Sequence, residues 1–181
     1  MEELKQLKQR LEEERPVTWE ELPDLALYMD QVISYMPRQL INYKEDDLLT
    51  SAMVNNYIKD GLVPRAEGKR YGPVHLGYLT AVCAMKKVLS VKDMRAMLDS
   101  VPDSKSHKSI YNYFTRALDT ALTEVAANLN ENTPAEELPQ LALSLGLRSY
   151  ANQLACARVL DVIRERSRNE DKKHKSEKEK E

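Results

Sequence analysis

Two adjacent carboxamides, Asn55 and Asn56, stand in the middle of the stretch LTSAMVNNYIKDGLVP, Leu49 to Pro64. Asparagine is a mediocre helix former because its amide competes for nearby backbone groups. The same amide can both donate to and accept from the edge of an adenine. If Val54, Tyr57 and Ile58 turn inward, helical spacing leaves Ser51, Asn55, Asn56 and Lys59 facing outward. The following connector, VPRAEGKRYGP, brings Arg65, Lys69 and Arg70. Amides beside cations are suited to reading bases while neutralising phosphates, so these seven residues are the candidate contacts to double-stranded DNA.

Other chemistry has little support in the residue pattern. The sequence holds no GxSxG, CxxC or HExxH motif and no glycine-rich phosphate loop ending in Lys-Ser/Thr. His75, His107 and His174 share no metal-ligand spacing with one another or with Cys83 and Cys156. The adjacent acids Asp46 and Asp47 precede the quoted helix, where its positive dipole end accounts for them without acid/base work. The expectation is a protein that is not an enzyme and needs no cofactor and no metal. Its two distant cysteines suit reduced core thiols better than a disulfide framework, which points to the cytoplasm.

Net charge is only −2, but it is segregated. From Glu20 to Asp47, seven acids oppose Arg38 and Lys44, a balance of 2 − 7 = −5. From Thr50 to Leu98, eight bases oppose Asp60, Glu67 and Asp93, a balance of 8 − 3 = +5. A local basic patch is the electrostatic footprint of phosphate binding. The most apolar stretch, Leu141 to Leu160, contains Arg148, Asn152, Gln153 and Arg158, so no membrane span is expected. The charged start MEELKQLKQRLEEER does not read as a secretory signal.

These residues must be positioned by helices. Five glycines, a single phenylalanine and repeated apolar spacing near 3.6 residues predict an all-α chain with at most short strands. Residues 1–15 read as a charged helix with Leu4, Leu7 and Leu11 on one stripe, broken at Pro16. Thr18 with Glu21 reads as a capping box that opens a second helix, with Leu25, Met29, Val32, Ile33 and Met36 as its core stripe. Thr50 caps the quoted helix and Gly61 stops it, and the connector has room for a small hairpin. Pro73 opens a further helix through Leu89, and Ser90 with Asp93 starts another through Leu98.

Two longer helices, about His107 to Asn130 and Leu138 to Arg166, flank NENTPAEELP with Thr133 as a cap, and form a hairpin over residues 107–166. Ile110, Phe114, Ala117, Ala121 and Val125 give the first its stripe. The second is apolar around most of its circumference, as for a helix packed against several neighbours, and its excess apolar surface points to a homodimer interface. Residues 167–181 should form a disordered charged tail.

In residues 18–99, Tyr57, Gly61, Leu62, Pro64, Arg70, Tyr71, Leu79 and the run LSVKDM resemble the winged helix-turn-helix of MerR-type transcription regulators. More closely, LPDLALYMDQVISYM joined to LTSAMVNNYIKDGLVP resembles the bacterial domain-of-unknown-function family eighteen thirty-six, over roughly Trp19 to Leu98. That family implies a fold rather than an activity. Against the MerR pattern, Asn55 and Asn56 replace the usual arginine beside the tyrosines, and the wing is shorter. The resemblance implies a DNA-binding transcription regulator. The alternative is a helical protein–protein interaction module without nucleic-acid binding, whose acidic Glu20 to Asp47 segment meets a basic partner.

Overall fold

The structure, a computed structural model, describes residues 2–41, 48–102 and 104–178, with side chains described to Asn169. Its helices are α1 (Glu2–Glu13), α2 (Met29–Tyr35), α3 (Ser51–Lys59), α4 (Pro73–Met85), α5 (Val91–Asp99), α6 (His107–Asn128) and α7 (Leu138–Lys178). The chain is all-α: among the described residues, extended pairing is limited to isolated bridges between Leu27 and Tyr71 and between Glu67 and Arg70.

Several boundaries follow from local chemistry. Thr50 Oγ1 accepts from Met53 N–H at 3.3 Å, and Ser90 Oγ accepts from Asp93 N–H at 3.1 Å, satisfying donors that a helix start leaves open. Pro73 occupies the first turn of α4, where a missing N–H costs nothing. The second helix differs from its expected span. Thr18 and Glu21 do bond, with Thr18 N–H donating to Glu21 Oε2 at 2.9 Å, but they close only a 3-10 turn, Trp19–Glu21. Leu22 is then extended, as a residue before proline tends to be, and α2 begins at Met29. Leu25 therefore falls outside any helix and is 74% exposed instead of joining the core.

The main core joins α2, α3, α4 and α5. Val32, Val54, Leu62, Leu76 and Leu79 are fully buried in it, each removing a side chain from water for about 1.5–3 kcal/mol. Helix α6 approaches α4 closely at Gly77, where a Cβ would come within 3.0 Å of the Tyr111 ring. Tyr111 in turn donates its hydroxyl to Val17 O at 2.8 Å and packs on Trp19, and burial raises its pKa. Cys83 is a free thiol, pushed up in pKa by burial, and Cys156 is free and half-buried. A second cluster, Leu11 with Ala126 and Leu129, packs α1 along α6.

This arrangement rotates α6 relative to expectation. Its buried residues are Tyr111 and Ala126; of the expected stripe, Ile110 and Phe114 are half-buried, with Phe114 packed on the main core, while Ala117, Ala121 and Val125 are exposed, because α1 claims the neighbouring stripe. Thr133 is not a helix cap: it is buried and donates to Asn130 O at 2.7 Å, and α7 follows a 3-10 turn at Ala135–Glu137. Nor is α7 packed on all sides. Leu160 is its buried apolar residue among those described, and most of its others are exposed. The backbone stays helical to Lys178, past the point where the sequence predicts fraying, since Glu, Lys and Arg are themselves good helix formers. No helix among the described residues is long and apolar enough to cross a membrane.

Candidate functional site

Helix α3 divides by period. At about 100° per residue, Ser51, Asn55, Asn56 and Lys59 fall within an arc of about 140°, with Val54 and Tyr57 on the opposite side and Ile58 at the boundary, about 20° from Ser51. The inner set is anchored: Val54 and Tyr57 are buried and Ile58 is half-buried. All four outer residues are exposed, and none makes a side-chain hydrogen bond or ion pair among the described residues. The amides are thus neither capping a turn nor bonded to the neighbouring helix.

Chain reversal after α3 fixes where the cations go. Gly61 takes φ 73°, a left-handed conformation that suits glycine. Leu62 N–H and Val63 N–H then return to Tyr57 O at 2.8 and 3.3 Å. Arg95 of α5 donates from Nη1 to Gly61 O at 2.6 Å, placing a positive charge at the carbonyl end of α3, where the dipole favours it. This contact packs α5 beneath the end of α3.

The connector folds into a hairpin at its tip. Arg70 N–H donates to Glu67 O at 2.9 Å, and both residues between, Gly68 at φ 55° and Lys69 at φ 63°, have positive φ, the signature of a type I′ turn. The returning limb is pinned where Leu27 and Tyr71 exchange both backbone hydrogen bonds, each 2.9 Å. His75, on the first turn of α4, closes the base. Its Nδ1 accepts from Gly72 N–H at 3.1 Å, which leaves the hydrogen of the neutral ring on Nε2 to donate to Arg65 O at 3.2 Å.

Of the three connector cations, Arg65 and Lys69 are exposed with no side-chain bond among the described residues, whereas Arg70 is held. Its guanidinium lies 4.4 Å over the Tyr28 ring and donates to Tyr28 Oη at 2.7 Å and Ala26 O at 3.3 Å. A guanidinium carries five N–H donors, so some remain for an outside acceptor. Arg70 nevertheless serves first to fasten the hairpin to the start of α2.

Lys59 and Arg65 line one cleft of 540 Å3, together with Arg95, Lys105 and His107. Its acid, Asp99, is paired with Arg95 at 2.7 Å. The side of α3 and the base of the hairpin are therefore brought together, and Lys105 enlarges the positive surface in a way that the sequence reading misses. The available signal was Ser106, whose side chain caps α6 and so leaves Lys105 just outside the helix start. The acidic side is less defined. Glu20 pairs with Lys108 of α6 and its pKa is lowered by that bond, whereas Lys44, Glu45, Asp46 and Asp47 lie outside the described residues.

Comparison with curated proteins and with solved structures gives no significant match. A profile for a domain of unknown function, DUF1836, matches residues 17–114, which takes in α2 to α5, the hairpin and the first turns of α6. Because the matched segment is more than half of the 181 residues, the chain belongs to the DUF1836 family.

Proposed function

We propose that the chain is a DNA-binding transcription regulator that works without catalysis, using α3 as a recognition helix and the hairpin as a wing. The order α2, α3, hairpin, α4, α5 is that of a MerR-like winged helix-turn-helix. One observation carries the reading: among the described residues, Ser51, Asn55, Asn56 and Lys59 form an exposed strip along α3 with no side-chain partner, and Lys59 at its end lines one cationic cleft with Arg65. In a major groove, Asn55 and Asn56 bond to base edges, and Lys59 and Ser51 reach bases or phosphates. Arg65 and Lys69 grip the flanking backbone, with Arg70 stiffening the wing that carries them.

Fluorescence anisotropy against random duplex and against duplex from upstream of the protein's own coding sequence, over a salt series, tests this. Asn55→Ala should relax sequence preference by about 1–3 kcal/mol at one base pair while leaving the salt slope unchanged. The double variant Arg65→Ala/Lys69→Ala should weaken binding to every sequence and flatten the slope by about 1.8, or about 0.9 for each lost phosphate contact. An unmodified chain that binds no duplex at low salt defeats the proposal.

A further inference from the structure

The cleft that holds Lys59 and Arg65 also holds an imidazole, that of His107, the first residue of α6. The ring is exposed, but one of its nitrogens is engaged. Nδ1 lies 3.2 Å from Tyr78 Oη, and the two rings meet edge to face with 5.6 Å between centroids. Nε2 makes no hydrogen bond among the described residues. Tyr78 settles which nitrogen carries the hydrogen. Burial raises the pKa of its hydroxyl, so at neutral pH it keeps its proton and donates to Nδ1. The hydrogen of the neutral ring is then on Nε2. When the ring takes up a second proton, Nδ1 becomes a donor and the same hydroxyl turns to accept from it, so protonation costs no hydrogen bond. In both states Nε2–H is left for an outside acceptor, and in the second the ring adds a positive charge.

The charges around the ring favour an anion. Facing the cleft with His107 are Lys59 of α3, Arg65 of the connector, Tyr78 of α4, Arg95 and Asp99 of α5, and Lys105 of the loop before α6. Four bases against one acid give 4 − 1 = +3 before the ring is charged. Asp99 is paired with Arg95, and Glu20 is taken up by Lys108, the next residue along α6. Lys59, Arg65 and Lys105 are exposed and make no side-chain bond among the described residues.

We infer that this cleft is a phosphate-binding site in which His107, through Nε2–H, and Lys105 hold one phosphate and couple its binding to the uptake of a proton. The source of that phosphate rests on the DNA-binding proposal: it is a backbone phosphodiester flanking the bases that α3 reads, although a free phosphate offers the same chemistry. An imidazolium is favoured beside an anion, so binding is tighter where the ring of the complex is charged. That gain is lost as pH rises through the titration of the bound ring. A phosphodiester stays ionised throughout, which leaves the ring as the group that changes. An imidazole that titrates near about 6.5 when free and about 7.5 beside a phosphate tightens binding about sixfold between pH 8 and pH 6.

Fluorescence anisotropy of the full chain against random-sequence duplex at pH 6 and pH 8, at one ionic strength, should show that gain. His107→Gln should lose it. His75 and His174 stay in place in this variant, so a gain that survives belongs to them. Lys105→Ala should flatten the salt slope by about 0.9. Nitrogen-15 spectra of the imidazoles, assigned by the signals that vanish in His107→Gln, read the site directly. The neutral ring of the parent should carry its hydrogen on Nε2, and Tyr78→Phe should mix the two tautomers. Adding duplex, or inorganic phosphate, should move the ring's titration to higher pH. Duplex binding without a gain at pH 6, a gain that survives His107→Gln, a titration that neither probe moves, or a neutral ring with its hydrogen on Nδ1 each overturns the inference and leaves the DNA reading intact. If no duplex binds but inorganic phosphate moves the titration, the phosphate site stands and the DNA reading falls. If no duplex binds and phosphate moves nothing, both fall.

Discussion

Replacing Lys69 by asparagine separates what the wing tip costs from what it does. Lys69 holds φ 63° in a two-residue turn beside Gly68, a conformation that crowds the Cβ of most L-residues at about 1–2 kcal/mol. Asparagine tolerates it, so Lys69→Asn should stabilise the fold by about 0.5–1 kcal/mol. With a urea dependence of about 2 kcal/mol per M, the unfolding midpoint should rise by about 0.2–0.5 M. In the opposite direction, removing one phosphate contact should flatten the plot of log affinity against log salt by about 0.9. Variant and parent should therefore nearly coincide near 1 M salt and differ by about tenfold at about 50 mM. A midpoint that falls would show that the turn is not type I′. A slope that stays the same would show that Lys69 reaches no phosphate. A cation held in a conformation that a neutral residue occupies more cheaply is the motive for assigning it a role.

Gly61→Ala should destabilise the fold by about 1–3 kcal/mol, because a side chain at its positive φ is strained. The new Cβ would also sit 2.1 Å from the Arg95 Nη1 that caps α3, and a urea midpoint equal to the parent's would refute this packing. Asp93 has its pKa lowered first by its hydrogen bond from Ser90 and then by Arg164 of α7. A carboxylate depressed in the folded state contributes stability that is present above its unfolded pKa of about 3.9 and is lost as pH falls through the lower, folded value. Asp93→Asn should accordingly lower stability at neutral pH and remove part of the acid-induced loss. Equal pH dependence for variant and parent, followed by chemical denaturation, would count against the α5–α7 tether.

Much of this architecture is written in short-range chemistry. Thr50, Gly61, Pro73 and Ser90 fix helix ends through donors, acceptors and backbone angles supplied within a few residues, which is why α3 and α5 fall where the pattern predicts and α4 opens at Pro73, although α4 ends at Met85 instead of running through Leu89. The outward strip of α3 was legible for the same reason, since Val54 and Tyr57 leave Asn55 and Asn56 on the other side once the period is known. What depends on distant partners could not be read from the sequence. Arg70 is held by Tyr28 and Ala26, 42 and 44 residues away, so only the folded chain shows it as a fastener. Lys105 joins Lys59 and Arg65 only because α5 and α6 bring its loop to the end of α3. Similarly, α6 turns Tyr111 and Ala126 inward because α4 and α1 occupy those sides, and no periodicity within α6 specifies which of its apolar rows a neighbour covers. Sequence alone thus determined which segments are helical and what their faces offer. The tertiary structure decided which faces are covered, because burial is a property of pairs of elements and the sequence of one element does not encode the other's position.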